Sequence, residues 1–171
     1  MSTTTQTPEP AARDLPTVLG AAHARLDALF EELVAAFRAD AREDAARLWT
    51  ELDAGLRRHF ELEEEKIFPR LAEVDPDEVA ALLAEHEQIK RRVTELGVGV
   101  DLHATRFDTV EALVRELRAH AKREDALAYP WAEKHLDEET RASIAGRAVD
   151  VAKTFFRDAT RAAQRVTDRI F

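Results

Sequence analysis

Six side chains of the kinds that bind transition metals recur at regular positions along this chain of 171 residues. They are four histidines and two glutamates: His23, His59, Glu63, His86, His120 and Glu124. Each glutamate follows a histidine by four residues, so the two side chains share one face of a helix. Imidazole nitrogens and carboxylate oxygens suit iron or manganese, and zinc is chemically compatible. The chain has no cysteine, which excludes thiolate ligands, disulfides and thiol catalysis.

These six residues interrupt apolar stripes that have helical spacing. His23 lies between Leu19 and Leu26, at steps of four and three residues, which keep side chains on one helical face. The other five candidates replace hydrophobic residues in three later stripes in the same way. A buried polar group without a partner costs roughly 1–3 kcal/mol, and a buried charge costs more. Six such groups on inward faces therefore predict a shared partner, and two metal ions would supply it.

The sequence also contains an internal repeat. The segments HFELEEEKIFP and HAKREDALAYP begin at His59 and His120, and each places an aromatic residue and a proline at the same two positions. His23 precedes the first segment and His86 the second by similar distances along the chain. We interpret the repeat as two copies of a helical hairpin. Packing of the copies about a pseudo-twofold axis would gather four histidines and two glutamates around one centre.

The composition and the stripes predict an all-α fold. Alanine, leucine, glutamate and arginine are abundant, and the chain has only five glycines. The predicted helices cover residues 15–39, 43–68, 76–96, 104–128 and 137–169. The predicted breaks between them lie near Asp40–Asp44 and at Pro69–Pro76, Gly97–Asp101 and Pro130–Asp137, because proline and glycine interrupt helices and aspartate is a good N-cap. Short connections favour antiparallel neighbours and an up-down-up-down four-helix bundle. The predicted organisation is a disordered tail over 1–13, the bundle over 14–136 and an additional C-terminal amphipathic helix over 137–171.

The charge balance restricts the partners. A formal net charge of -9 and a pI near 5.2 disfavour binding to nucleic acid or to an anionic membrane. The first ten residues lack the basic start and apolar run of a secretory signal, and no stretch approaches about 20 uninterrupted apolar residues. We therefore expect a cytoplasmic protein.

The order His, His-x-x-x-Glu, His, His-x-x-x-Glu, with aromatic-Pro ending each half, resembles the hemerythrin-like domain, also called the HHE cation-binding domain. The resemblance covers about residues 15–140. It implies a four-helix bundle with a non-haem, oxo- or hydroxo-bridged di-iron centre. In that centre the four histidines would be terminal ligands, and Glu63 and Glu124 would bridge the ions.

Two departures separate this chain from the oxygen carriers of marine invertebrates in that family. Those carriers have His-x-x-x-His on the third helix, where this chain has Leu82 in place of the first histidine. They also have His-x-x-x-x-Asp on the fourth helix, whereas Glu124 lies four residues after His120. The site is more similar to bacterial HHE proteins and to the iron-sensing F-box relative of eukaryotes. A ferritin-like site is disfavoured because Leu56 and Leu117 stand where it would need glutamate three residues before histidine.

The sequence therefore predicts a protein with two iron ions, with manganese or zinc as alternatives. Its ligand would be dioxygen, peroxide or nitric oxide, and its role sensing or oxidative-stress defence. Iron storage, an iron-responsive interaction module and catalase-like peroxide dismutation remain open, as does a metal-free structural bundle. The sequence leaves undecided whether the protein is an enzyme.

Residues beside the candidate ligands are predicted to have other roles. Phe68 and Tyr129 are interpreted as packing at the end of the bundle, with a role for Tyr129 near the metals as the alternative. Glu64 and Asp125 are expected at the surface or behind the metal ligands. The C-terminal helix either folds back on the bundle or mediates a homodimer or another protein contact.

Overall fold

The computed structural model describes residues 14–101 and 107–149, and all regular structure within them is helical. The helices are α1 (Leu15–Arg38), α2 (Arg42–Lys66), α3 (Phe68–Leu71), α4 (Pro76–Asp101), α5 (Phe107–Ala126), α6 (Ala128–His135) and α7 (138–149). The predicted tail over 1–13 and the end of the predicted C-terminal helix, 150–171, lie outside the described residues. The prediction of an all-α fold is confirmed for the described part of the chain.

Aspartate side chains cap three helices at their N-termini. Asp14 before α1, Asp75 before α4 and Asp137 before α7 each accept a hydrogen bond from the backbone N–H three residues later, at 2.8, 3.1 and 2.8 Å. Each bond satisfies an N–H group that has no partner within the helix. These caps help to set where the helices begin, and α1 and α4 carry His23 and His86.

The four long helices surround a common interior. Helix α1 packs against α2 and α5, and α4 packs against the same two helices. The short helix α6 lies against α1 and α5, while α3 lies against α2, α4 and α6. This arrangement gives each long helix two long neighbours, so that a side chain on an inward face meets residues from several other helices.

The interior contains two apolar clusters with a polar layer between them. On α2, Leu56 belongs to one cluster and Leu62 to the other. On α4, Ile89 and Leu82 are divided in the same way. The candidate ligands occupy the positions between the clusters on all four long helices. Apolar packing above and below therefore keeps the polar side chains in one layer.

Two predicted breaks do not end helices. Helix α4 continues through Gly97 to Asp101. The glycine is needed there for packing, because a Cβ atom at position 97 would lie 2.7 Å from Trp49 Nε1. Pro130 lies in the first turn of α6, where proline is tolerated since the first N–H groups of a helix lack intrahelical partners. Glycine and proline at these positions serve packing and helix initiation rather than termination.

The described part of the C-terminal helix packs on the bundle. Ile144 and Ala148 are buried in the same cluster as Leu15. Arg147 forms an ion pair at 2.7 Å with Glu65 of α2. None of the helices in the described ranges combines the length and the apolar character needed to cross a membrane.

Candidate metal centre

The structure brings the six predicted side chains together in the polar layer. Five of them are buried, with exposed fractions of 5% or less: His59, Glu63, His86, His120 and Glu124. His23 is partly buried, and its side chain keeps 10% of its accessible surface. Two overlapping sets of potential ligand atoms, each spanning no more than 4.8 Å, are formed by these residues. The sequence spacing thus predicted a real convergence of donors, whereas metal ligation itself stays a prediction.

The imidazoles form two pairs. Nε2 of His23 on α1 lies 2.9 Å from Nε2 of His59 on α2. Nε2 of His86 on α4 lies 3.0 Å from Nε2 of His120 on α5. The ring planes within the pairs meet at 67° and 73°, with centroids 4.7 Å apart in both. The two hairpins of the sequence repeat therefore contribute one matched pair each.

Glu63 reaches both imidazole pairs. Its Oε1 lies 3.3 Å from His59 Nε2 and its Oε2 lies 3.6 Å from His86 Nε2. Oε2 is buried and has no hydrogen-bond partner among the described residues. A buried carboxylate oxygen without a donor is costly, so this atom is suited to receive a cation.

Glu124 spans the pairs in the opposite order. Its Oε1 lies 3.1 Å from His120 Nε2 and 3.3 Å from His86 Nε2. Its Oε2 lies 3.4 Å from His23 Nε2. Each glutamate therefore places one oxygen beside each pair of imidazoles, which is the arrangement that two bridging carboxylates require.

Carboxylates on neighbouring helices hold the outer nitrogens of three imidazoles. Nδ1 of His86 lies 2.8 Å from Glu64 Oε1, which also accepts from Lys90 Nζ at 2.8 Å. Nδ1 of His23 lies 3.0 Å from Asp125 Oδ1. Glu64 and Asp125 occupy equivalent places in the two repeats, one residue after the candidate ligand. A carboxylate at Nδ1 fixes the ring and directs Nε2 inward, as in many metal-bound histidines.

The third support was not predicted from the sequence. Nδ1 of His120 lies 2.7 Å from Glu85 Oε2, and Arg123 holds Glu85 and also Glu78. Glu85 precedes His86 in the sequence but supports the histidine of the next helix. In the first repeat the equivalent position is Ala22, which has no carboxylate. The interaction depends on which helices are neighbours, so spacing within one helix gives no sign of it.

The donor set fits metal ions on physical grounds. A carboxylate lies beside Nδ1 of both His86 and His120. When a neutral ring donates its Nδ1–H to that carboxylate, Nε2 carries the lone pair that can bind a metal ion. Two such lone pairs facing each other at 3.0 Å repel unless a cation or proton lies beside them. Two ligand atoms that are each about 2.1 Å from one ion, at right angles, are about 3 Å apart. The separations in both imidazole pairs match this distance.

Burial makes the layer electrostatically unfavourable without cations. Burial, together with the charge on His23, lowers the pKa of His59 to about 3. Burial also raises the pKa of Glu63 well above its ordinary value, and the negative charge of Glu124 adds to this effect. For Glu124, burial raises the pKa, but hydrogen bonds from His120 and two other imidazoles outweigh it and keep the pKa well below its ordinary value. The two carboxylates would both be ionised more readily beside metal ions.

Tyr129 contributes a hydroxyl to the layer. Its side chain is fully buried, and its Oη lies 3.0 Å from His23 Nε2 and 3.2 Å from His59 Nε2. The hydroxyl donates a hydrogen bond to Glu63 Oε1. The interpretation of Tyr129 as packing alone is thus incomplete, and the alternative of a place near the metal centre is the one that the structure favours. The sequence signal was the aromatic position shared by the two repeats.

A cavity of about 400 Å³ between α1 and α5 reaches one side of the layer. Its inner end is lined by His23, His59 and His120, and apolar side chains line much of the rest. Lys122 and Asp125 are exposed residues on its border. His23 is the candidate ligand with the greatest exposure, and it lies on this side. The cavity is large enough for water and diatomic molecules.

The remaining histidines have other surroundings. His135 stacks on the Trp131 ring and contacts the backbone oxygen of the same residue, away from the polar layer. His103 lies outside the described residues. No metal role was predicted for either histidine.

The described chain is thus a helical protein that encloses a layer of imidazoles and carboxylates. A model of the hemerythrin HHE cation binding domain matches residues 14–132, more than half of the chain. The chain belongs to this family. No curated protein and no solved structure matches it. The family match confirms the resemblance drawn from the sequence and, together with the clustered donors, supports a metal-binding protein. Its similarity to the bacterial members stays a prediction.

Proposed function

We propose that this protein is a non-haem di-iron protein that binds dioxygen or a related small oxidant, such as peroxide or nitric oxide. Its role would be sensing or oxidative-stress defence. The observation that carries the proposal is the placement of one oxygen of each glutamate beside each imidazole pair. This arrangement supports two ion positions rather than one. The cytoplasmic location expected from the sequence is part of the proposal.

In the proposed centre, His23 and His59 would hold one ion, and His86 and His120 would hold the other. Glu63 and Glu124 would each offer one carboxylate oxygen to each ion. Six nitrogen and oxygen donors without sulfur favour iron or manganese among the common transition metals, and the family match favours iron. Iron, when bound, supplies reversible one-electron chemistry toward a small oxidant.

The side chains around the centre position the ligands and exclude bulk water. Glu64, Glu85 and Asp125 orient three of the imidazoles through Nδ1. The apolar clusters on both sides of the layer close it to solvent along the axis of the bundle. The cavity beside His23 leaves a lateral route for a small molecule. This combination suits a ligand that must reach the ions without bringing bulk solvent with it.

The organisation of the chain into a bundle and a C-terminal element is also proposed. The four long helices would follow an up-down-up-down course within a bundle over residues 14–136. Residues 137–171 would form a separate C-terminal element, and burial of Ile144 and Ala148 supports packing of its described part on the bundle. A homodimer or a protein partner through this element has no further support among the described residues.

The experiment that tests the proposal is metal analysis of the full-length protein purified from iron-rich growth without chelator. We expect about two irons per chain and near-ultraviolet absorption that changes on reduction. A folded protein that contains no iron and cannot be loaded with it would overturn the proposal and favour a metal-free structural bundle.

The same sample separates the alternatives. A reversible optical change on exposure to air or nitric oxide, without consumption of peroxide, indicates a sensor. Consumption of added peroxide with release of dioxygen indicates catalase-like dismutation. Bound iron that shows neither response favours iron storage or an iron-responsive interaction module.

A further inference from the structure

Tyr129 and Phe68 occupy equivalent places in the sequence repeat but differ by one hydroxyl group. Each lies nine residues after the histidine that begins its HxxxE motif. The Phe68 ring packs against His86 with centroids 5.2 Å apart, and the Tyr129 ring packs against His23 with centroids 5.3 Å apart. Both aromatic side chains are buried. The matched packing places the Tyr129 hydroxyl beside the His23 and His59 pair. The His86 and His120 pair has the Phe68 ring instead, which carries no hydroxyl.

The hydroxyl lies among the donors for one ion only. Tyr129 Oη is 3.0 and 3.2 Å from the Nε2 atoms of His23 and His59. It donates to Glu63 Oε1 and lies 3.5 Å from Glu124 Oε2. The described structure gives the hydroxyl no hydrogen-bond partner outside this set of four residues. Its oxygen is therefore directed at the position where these same four residues would hold an ion.

The distances agree with coordination by the tyrosine oxygen. Ligand atoms about 2.1 Å from one ion and at right angles to each other are about 3 Å apart, close to the separations between Oη and the two nitrogens. We propose that Tyr129 Oη is a ligand of the ion held by His23 and His59. On binding, the O–H bond gives way to an oxygen–metal bond and the proton is released to solvent, as for other acidic ligands. This inference rests on the proposed function, because it requires the metal centre.

The two ions are then unequal. The His23 and His59 ion has two nitrogens, one oxygen from each bridging glutamate and the Tyr129 oxygen. Beside the His86 and His120 ion, the equivalent residue is Phe68, which has no oxygen to offer. This ion therefore keeps one more coordination position for solvent or an external ligand. An anionic oxygen also attracts a ferric ion more strongly than a ferrous one. The His23 and His59 ion is therefore the harder of the two to reduce.

The test uses iron-loaded full-length protein and two readouts, iron content and the visible phenolate-to-iron charge-transfer absorption with its resonance-enhanced tyrosine vibrations. Tyr129 is the only tyrosine of the chain, so any such signal has one source. We expect the band in the oxidised wild-type protein and its complete loss in Y129F. The double variant F68Y/Y129F moves the hydroxyl to the equivalent place in the repeat, and we expect the band to return from the other ion.

The outcomes distinguish this inference from the proposed function. About two irons per chain without a charge-transfer band in the wild-type protein would show that Tyr129 only donates a hydrogen bond, and would overturn the inference while the di-iron proposal stands. A band that persists in Y129F would overturn it as well. A folded wild-type protein without iron would overturn both. The wild-type spectrum decides the matter even if a variant folds poorly, and circular dichroism reports folding of each variant.

Discussion

Nε2 of His86 and Nε2 of His120 lie 3.0 Å apart, and a carboxylate faces the opposite nitrogen of each ring. In neutral rings this arrangement directs two lone pairs at each other inside a buried layer. Glu63 Oε2, close to the same pair, is buried without a hydrogen-bond partner in the described structure. The layer is thus arranged for cations, and its stability should depend on them.

Removal of the metal should lower thermal stability. A ligand present at 1,000 times its Kd stabilises the folded state by about 4 kcal/mol, which corresponds to roughly 8–16 °C in Tm for a domain of this size. Thermal unfolding followed by circular dichroism, with and without chelator, measures the change. Adding ferrous iron back should restore Tm, and a Tm that is the same in all three samples would contradict this expectation.

Neutralising a bridging glutamate should reduce the number of ions bound. E63Q keeps the size of the side chain but removes the negative charge that would lie between two cations. We expect the iron content to fall from about two per chain to one or fewer. E65Q is the matched control, since Glu65 is exposed on the same helix and pairs with Arg147. Equal iron content in the two variants would argue against Glu63 as a ligand.

Loss of a carboxylate behind an imidazole should weaken the site without abolishing it. E85Q removes the charge that faces His120 Nδ1, and changes of this kind cost about 10–100-fold in metal affinity. Competition with a chromogenic chelator measures that affinity. E95Q, at an exposed position on the same helix, should bind metal like the wild-type protein. An unchanged affinity in E85Q would limit Glu85 to its ion pair with Arg123.

The helical character of the described chain and the clustering of the six candidate donors could be predicted from the sequence, because both depend on spacing within helices. His23 between Leu19 and Leu26 marks a buried face whatever the neighbouring helices are. Contacts between helices could not be derived in this way. The sequence predicts a break at Gly97, since glycine usually interrupts a helix. The contact with Trp49 that explains this glycine depends on the relative rotation of two helices, which spacing within one helix does not give. Glu85 was missed for the same reason, as it supports a histidine on another helix.

Blocking the cavity between α1 and α5 should slow the approach of small ligands to the centre. Ala121 lines this cavity, and A121F would fill part of its 400 Å³. We expect azide to bind to the iron-loaded variant at least about tenfold more slowly, with unchanged iron content, in stopped-flow absorption measurements. A119F adds the same bulk on the α4 side of His120, where a smaller cavity lies. If A119F slows azide binding and A121F does not, the ligand enters from the α4 side.

In metal-free protein, His23 should stabilise the fold in a pH-dependent way. Burial lowers the pKa of His23, but hydrogen bonds to Asp125 and Glu124 outweigh it and raise the pKa from 6.5 to about 9. Because the folded-state pKa is the higher one, this contribution is fully present below pH 6.5 and is lost as the pH rises through 9.

The measurement is urea unfolding of chelated wild-type protein and H23Q at pH 6 and pH 9.5. The pKa difference predicts that the wild-type advantage in free energy of unfolding shrinks by roughly 3 kcal/mol over this interval. D125N, which keeps the imidazole but removes the charge beside Nδ1, should show a smaller pH dependence than the wild-type protein. A wild-type advantage over H23Q that is the same at both pH values would mean that His23 has the same protonation state in the folded and unfolded chains.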